Sequence, residues 1–151
     1  MIDMTKQYYR PMLEADLNTV MDIEPTIYSH PWTRGNFIDS LQAGHHAWVM
    51  MQEEEMIGYA VMMIVLDEAQ LLNLSIAKRY QKNGLGSALL NHVMTQAKLL
   101  DVRYMFLEVR ASNVSAITLY QKMGFTEVSV RKGYYPLAQG REDAIIMRLM
   151  F

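Results

Sequence analysis

The feature that most constrains the fold is a long amphipathic helix between two segments of strand character. Apolar residues repeat at intervals of three and four from Leu85 to Leu100, the spacing of a helix that buries one face. The segments before and after it, 68–76 and 104–110, are typical of strands. Strands and helices in this order predict an α/β chain in which helices cover a sheet.

The other segments continue this alternation of strands and helices. Asp16 and Thr33 stand where they would cap the first two helices. Gly44 and Gly124 are placed to end the second and fourth helices. The further predicted strands cover 7–12, 46–52, 56–66, 126–134 and 143–151, and the further predicted helices cover 17–28, 33–44 and 114–123.

Composition excludes several classes of protein. A chain of 151 residues is expected to form a single domain over 1–151. Hydrophobic residues make up 51% and charged residues 20%, which excludes intrinsic disorder. A formal charge of −2 does not favour nucleic-acid binding, and no apolar run approaches the ~20 residues of a membrane span. We therefore expect a soluble, cytoplasmic protein that binds neither nucleic acid nor a membrane.

The chain contains no cysteine. This excludes thiolate zinc sites and every mechanism that uses a thiol nucleophile. The four histidines, at positions 30, 45, 46 and 92, do not have the spacing of metal ligands. We therefore predict no metal.

A short glycine pattern, Gln81-x-x-Gly84-x-Gly86, joins the segment 68–76 to the long helix. The first N–H groups of a helix have no partner within the helix, and the positive end of the helix dipole lies beside them. Such a turn can bind an anion such as a pyrophosphate. Alternatively, the two glycines only permit a tight entry into the helix. The pattern alone favours neither explanation.

The predicted strand 104–110 carries a candidate general base. Its alternation places Phe106, Glu108 and Arg110 on one face, so the Glu108 carboxylate has an apolar neighbour. A carboxylate in this position can accept a proton from a substrate. A structural ion pair with Arg110 or another cation is the more common role for such a residue.

The following predicted helix carries a phenol, Tyr120, on the same face as Ala116 and Ile117. Asn113 is placed to cap this helix. A tyrosine at this spacing usually packs in the core. The succession of an anion-binding turn, a strand carboxylate, a capping asparagine and a helical phenol favours a catalytic role for both Glu108 and Tyr120.

These motifs resemble those of the GNAT acyl-CoA N-acetyltransferases, and within them the bacterial ribosomal-protein-alanine N-acetyltransferases of the RimI type. The similarity extends over nearly the whole chain. The resemblance implies the GNAT fold, a mixed central sheet of about seven strands with helices on both faces and a cleft for CoA between splayed strands. The most specific stretches are 80–86, 107–113, 116–120, 134–136 and 140–147.

The resemblance also implies roles for individual residues. Glu108 would accept a proton and Tyr120 would donate one, with acetyl-CoA as the acetyl donor. Gln81 and Lys82 stand where many relatives have arginines. The residues implied to bind the cofactor are Leu74, Ser75, Ile76, Lys82, Asn83, Gly84, Leu85, Gly86, Ser87 and Asn113, and those implied to bind the substrate are Trp32, Tyr134 and Tyr135.

The implied acceptor is the N-terminal α-amine of a ribosomal protein, the terminal alanine of protein eighteen of the small subunit. Two other functions stay open from the sequence. One is a GNAT acetyltransferase that acts on a small-molecule amine, and the other is a non-catalytic CoA-binding module.

Overall fold

The computed structural model describes residues 6–151, which form a seven-stranded sheet flanked by four α-helices. Two short 3₁₀ turns, Glu14–Asp16 and Lys78–Tyr80, lie at the start of the first helix and after the fourth strand. The strands are β1 (Gln7–Pro11), β2 (His46–Gln52), β3 (Glu55–Val65), β4 (Glu68–Ile76), β5 (Tyr104–Arg110), β6 (Thr126–Pro136) and β7 (Arg141–Met150). The helices are α1 (Leu17–Ile27), α2 (Arg34–Gln42), α3 (Leu85–Leu99) and α4 (Val114–Lys122).

The strand order is β1-β2-β3-β4-β5-β7-β6, and only the β4–β5 pair is parallel. That pair joins residues 68–71 of β4 to residues 104–107 of β5 and then ends. Beyond this point β4 continues beside β3, and β5 continues beside β7. The two central strands therefore diverge, and the predicted cleft between splayed strands is confirmed.

A bulge in β4 marks the point of divergence. Val61 pairs with Asn73 and Met62 with Leu71, so Leu72 is an extra residue on β4. A bulge bends its strand and moves every following side chain to the opposite face. Asn73 consequently lies on the face of the sheet that α1 covers.

The sheet has an apolar core on each face. Leu17 and Val20 of α1 and Phe37 of α2 are fully buried on one face. On the other face, α3 buries Leu89 and Val93 in a larger core, and α4 packs against the edge of that core. The prediction of a mixed sheet with helices on both faces is confirmed.

The local predictions agree closely with the structure. Buried and half-buried residues alternate along β5, so Glu108 shares a face with Phe106 and Arg110, as predicted. Thr33 caps α2, because its side chain accepts the N–H of Asn36 at 3.1 Å. The predicted side-chain cap at Asp16 is wrong. Its carboxylate accepts hydrogen bonds from Arg10 and from the N–H of Leu13 instead.

Gly58 of β3 is required where the end of β4 packs on its neighbour. A Cβ atom there would lie 2.7 Å from the Ile76 Cδ1 and 2.8 Å from the backbone oxygen of Ser75. We expect Gly58→Ala to lower the free energy of unfolding by about 1–3 kcal/mol, measured by chemical denaturation. In the control, Gly35→Ala, the new methyl meets only the Thr33 Oγ1, at 3.6 Å, and should not destabilise the protein. Equal stability of the two variants would contradict this explanation.

His92 of α3 is stacked on Tyr9 at 4.0 Å and meets the edge of Trp48, and its Nε2 atom is buried without a partner among residues 6–151. Burial lowers the pKa of His92 below its usual range. Below about pH 6.5 the unfolded chain therefore binds a proton at His92 more readily than the folded protein does. We expect the free energy of unfolding to fall as the pH falls through this range, and His92→Phe to reduce that fall. Denaturation at about pH 7.5 and 5.5 tests this, and equal losses in the two proteins would contradict it.

Candidate active site

The open edge of β4 lines one side of the gap between the splayed strands. The N–H of Ala77 bonds to Ile57 of β3, so by alternation the N–H and C=O groups of Leu74 and Ile76 point away from β3 and into the gap. Side chains bond to both carbonyls, since the Tyr28 hydroxyl donates to Leu74 and the Gln81 amide donates to Ile76. The N–H of Ile76 remains directed into the gap.

The turn from Lys82 to Ser87 follows this edge and leads into α3. Lys82 and Gly84 both have left-handed backbone conformations, with φ of 65° and 77°. Within residues 6–151, no acceptor meets the backbone N–H groups of Lys82 to Ser87. The Asn83 side chain supports the turn by donating to the carbonyl of Gln81 at 2.9 Å. A row of free donors at a helix N-terminus is suited to an anion.

Glu108 lies on the other side of the gap, on β5. Its carboxylate forms an ion pair with Arg131 of β6 at 3.3 Å, and its side chain is 19% exposed. Arg110, the cation nearest in sequence, bonds instead to Glu142 at 2.9 Å and lies over the ring of Tyr135. The structural ion pair considered from the sequence is therefore made by Arg131.

Tyr120 projects from α4, packs against Phe125 and belongs to the edge of the α3 core. Burial raises the pKa of the Tyr120 hydroxyl, and the nearby hydroxyls of Tyr28 and Tyr135 raise it further. Among the described residues, its hydroxyl has no hydrogen-bond partner. Tyr120 therefore stays protonated at neutral pH and keeps its proton available.

Tyr135 of β6 connects the two predicted catalytic side chains. Burial, followed by the Glu108 carboxylate, raises the pKa of Tyr135 to about 12. Tyr135 also contributes to the raised pKa of Tyr120. Glu108 and Tyr120 thus share Tyr135 as an electrostatic neighbour.

Tyr134 lies in an irregularity of the β6–β7 hairpin, and Tyr135 directly follows it. Three residues, 132–134, are inserted opposite one residue of β7, and the N–H of Gly133 bonds to the Asp143 carboxylate at 2.9 Å. Tyr134 is 42% exposed, and its ring lies 5.0 Å from the ring of Tyr135. Trp32, the third predicted substrate residue, is not part of this pair, since its ring packs on Phe37 in the α1–α2 core.

Comparison with known proteins agrees with this geometry. The family model for the acetyltransferase (GNAT) family matches residues 17–125. The chain belongs to this family. The fold, the enzyme class and acetyl-CoA as the acetyl donor follow from this membership, and the predictions of all three are confirmed.

Two curated relatives illustrate the similarity. The chain is 40% identical over 135 residues to the [ribosomal protein bS18]-alanine N-acetyltransferase of Escherichia coli strain K12, covering 89% of this chain and 91% of that protein. It is 33% identical over 139 residues to the protein of the same name from Haemophilus ducreyi, covering 91% and 96%.

Two solved structures have the same fold. The crystal structure of the ribosomal-protein-S18-alanine N-acetyltransferase from Escherichia coli matches with a TM-score of 0.90 at 38% identity, covering 95% of this chain and 93% of that one. Arabidopsis thaliana NAA60 in complex with acetyl-CoA matches with a TM-score of 0.85 at 25% identity, covering 96% and 99%.

Two residues that contact β4 near the gap were not identified as candidates from the sequence. Glu24 and Tyr28 approach the edge of β4 from α1 and from its C-terminal cap. Both residues continue the apolar stripe of α1. A carboxylate at such a position, Glu24, indicates a buried polar contact and could have been recognised from the sequence. Arg131 had no such signal, because its contact with Glu108 depends on how β6 pairs with β7.

The surroundings of Glu108 leave room for a ligand. A cavity of about 360 Å³ lies beside the Glu108 side chain and is lined in part by Gln70, Phe106, Glu108 and Arg131. Within residues 6–151, no group of three or more His, Cys, Asp or Glu side chains could hold a metal ion. Over the same residues, every helix is too short or too polar to cross a bilayer.

Proposed function

We propose that this acetyltransferase transfers an acetyl group from acetyl-CoA to the N-terminal alanine of ribosomal protein bS18, in the cytoplasm. The observation that carries the proposal is 40% identity, over 89% of the chain, to a bS18-alanine N-acetyltransferase. Glu108, Tyr120 and an open strand edge around one gap supply the groups that this reaction needs.

An N-terminal amine is also the easier nucleophile on physical grounds. The α-amino group has an ordinary pKa of about 7.7–8.0, against about 10.4 for lysine. Freeing the neutral amine at pH 7 therefore costs about 1 kcal/mol for the terminus and nearer 4.6 kcal/mol for lysine, at about 1.36 kcal/mol for each pH unit.

We assign one group of this chain to each step of the proposed reaction. Glu108 accepts a proton from the acceptor ammonium, directly or through a water. The N–H of Ile76, directed into the gap, stabilises the oxyanion that forms as the amine attacks. Tyr120, protonated at neutral pH, donates its proton to the departing thiolate. The nitrogen loses its second proton to solvent as the amide forms.

Acetyl-CoA supplies the acetyl group as a thioester, and the chain has a suitable place for it. We propose that the free N–H groups of Lys82, Asn83, Gly84, Leu85, Gly86 and Ser87 hold its pyrophosphate. Leu74 and Ile76 direct their N–H groups into the gap, beside the proposed path of the pantetheine arm. The Ser75 side chain points to Tyr28 instead, so Ser75 contributes through its place in the strand.

Asn113 is proposed to contact the same molecule from the start of α4. Its side chain caps the helix by accepting the N–H of Ala116 at 3.2 Å. On the acceptor side, Tyr134 and Tyr135 are proposed to contact the peptide. Trp32 is proposed to support that side from the α1–α2 core.

The function is tested by mass spectrometry of acetyl transfer to three acceptors. They are a peptide with the first residues of bS18, the same peptide with a blocked N-terminus and an added lysine, and a polyamine. We expect acetylation of the free terminal alanine and little transfer to the other two. Preferred transfer to the polyamine would overturn the substrate, and no transfer to any amine would overturn the enzyme function.

A further inference from the structure

A buried chain of hydrogen bonds leads from α1 to the open edge of β4, and the mechanism above does not use it. Glu24, Asn73 and Ser75 are three of the four buried polar residues among residues 6–151. The Glu24 side chain accepts three hydrogen bonds and belongs to a residue only 1% exposed. The donors are the Tyr59 hydroxyl at 2.7 Å, the Asn73 amide at 3.3 Å and the N–H of Trp32 at 2.9 Å.

These three hydrogen bonds determine which atom donates and which accepts at Asn73, Ser75 and Tyr28. Because a carboxylate only accepts, Asn73 turns its NH₂ group toward Glu24 and its oxygen away. That oxygen accepts the proton of Ser75 at 2.6 Å. Ser75 has no second proton, so its 2.7 Å contact with the Tyr28 hydroxyl is bridged by the proton of Tyr28.

Tyr28 is therefore an acceptor on its remaining side. Its proton is directed to Ser75 and the adjacent carbonyl of Leu74, and its oxygen keeps a free lone pair. The Leu74 carbonyl points into the gap, and the Tyr28 hydroxyl is close enough to Tyr120 to raise the pKa of that residue. The two phenols at the gap have opposite polarity, because Tyr120 has a proton to give and Tyr28 does not.

We propose that Tyr28 accepts a hydrogen bond from the α-amino group of the acceptor, and that Glu24 is the positioning residue that sets this polarity through Asn73 and Ser75. The inference rests on the proposed function, since it assigns a further role in the same reaction. An ammonium group offers three donors. Glu108 takes one of them as a proton, and Tyr28 holds the nitrogen at the edge of β4.

The first test measures binding without turnover. Calorimetry gives the Kd of the bS18 peptide for the protein saturated with CoA, which carries no acetyl group to transfer. We expect Tyr28→Phe to weaken binding by about 10- to 100-fold, the effect of losing a hydrogen bond to a charged group. Tyr8→Phe is the matched control, because the Tyr8 hydroxyl also bonds to a backbone carbonyl, that of Glu53, away from the gap.

A second peptide separates this role from a general loss of structure. It has a propionyl group in place of the terminal alanine, so it lacks the amine. We expect wild type and Tyr28→Phe to bind this peptide equally. Equal weakening for both peptides, or no weakening for either, would overturn the inference while wild-type acetylation of the bS18 peptide still supported the proposed function.

The role of Glu24 is tested by Glu24→Gln. One side of a glutamine amide must donate, so Asn73 turns over, its NH₂ faces Ser75, and the Ser75 proton occupies the Tyr28 lone pair. We expect weaker binding of the amine peptide, and no further loss when Tyr28→Phe is added to Glu24→Gln. Additive losses would overturn the role of Glu24. Tyr28→Phe removes one oxygen atom and still tests the acceptor role if Glu24→Gln does not fold.

Discussion

Glu108→Gln is expected to lower kcat by about 10²–10⁴-fold with bS18 peptide as the acceptor. Glutamine keeps the size of the side chain but cannot take the proton of the ammonium. The lost ion pair with Arg131 should change thermal stability little, because the Arg131 side chain is 56% exposed. Steady-state kinetics from about pH 6 to 9, together with thermal melting, measure both effects.

Glu127→Gln is the matched control for this variant. Glu127 is an exposed carboxylate of β6, the strand that also carries Arg131. We expect the Glu127→Gln variant to have the same kcat as the wild type. If folded Glu108→Gln protein retained near wild-type kcat over this pH range, Glu108 would not be the proton acceptor.

Tyr120→Phe is expected to lower kcat by a similar factor, about 10²–10⁴, without changing the KM for the acceptor peptide. The phenylalanine keeps the packing on Phe125 and removes only the donor hydroxyl. Because burial raises the pKa of Tyr120, ionisation of this group should not reduce wild-type kcat below about pH 10. A loss of activity that followed tyrosine ionisation nearer neutrality would contradict the assignment.

Tyr104→Phe supplies the comparison for Tyr120→Phe. Tyr104 lies at the start of β5, where the strand is still paired with β4, and its ring neighbours Phe106 and two arginines. Removing its hydroxyl should leave kcat unchanged. A similar fall in kcat for both variants would mean that the loss does not depend on the place of the Tyr120 hydroxyl.

Most of the fold could be predicted from local patterns, because α3 and β5 have strong periodicity. The strand carrying Glu108 has the predicted limits, and its alternation places the carboxylate on the predicted face. The cap at Asp16 failed for a non-local reason. Arg10 of β1 draws its carboxylate away from the helix end.

The parts of the site that could not be predicted depend on register. The extra residue Leu72 moves Asn73 and Ser75 to the α1 face, so simple alternation along β4 assigns them to the wrong side. The contact between Arg131 and Glu108 likewise depends on the pairing of β6 with β7. Local periodicity in the sequence does not determine this pairing. Both cases need the three-dimensional arrangement of neighbouring strands.

The sheet consists of two ribbons, β1–β4 and β5–β7. Parallel pairing joins them over only four residues of each central strand. Each ribbon keeps its own long antiparallel ladders, so a small change in the angle between them strains few hydrogen bonds. Acetyl-CoA bound between the two ribbons would contact both and restrict their relative motion. Its arrival should slow amide hydrogen exchange in both ribbons together, including in strands that it does not touch.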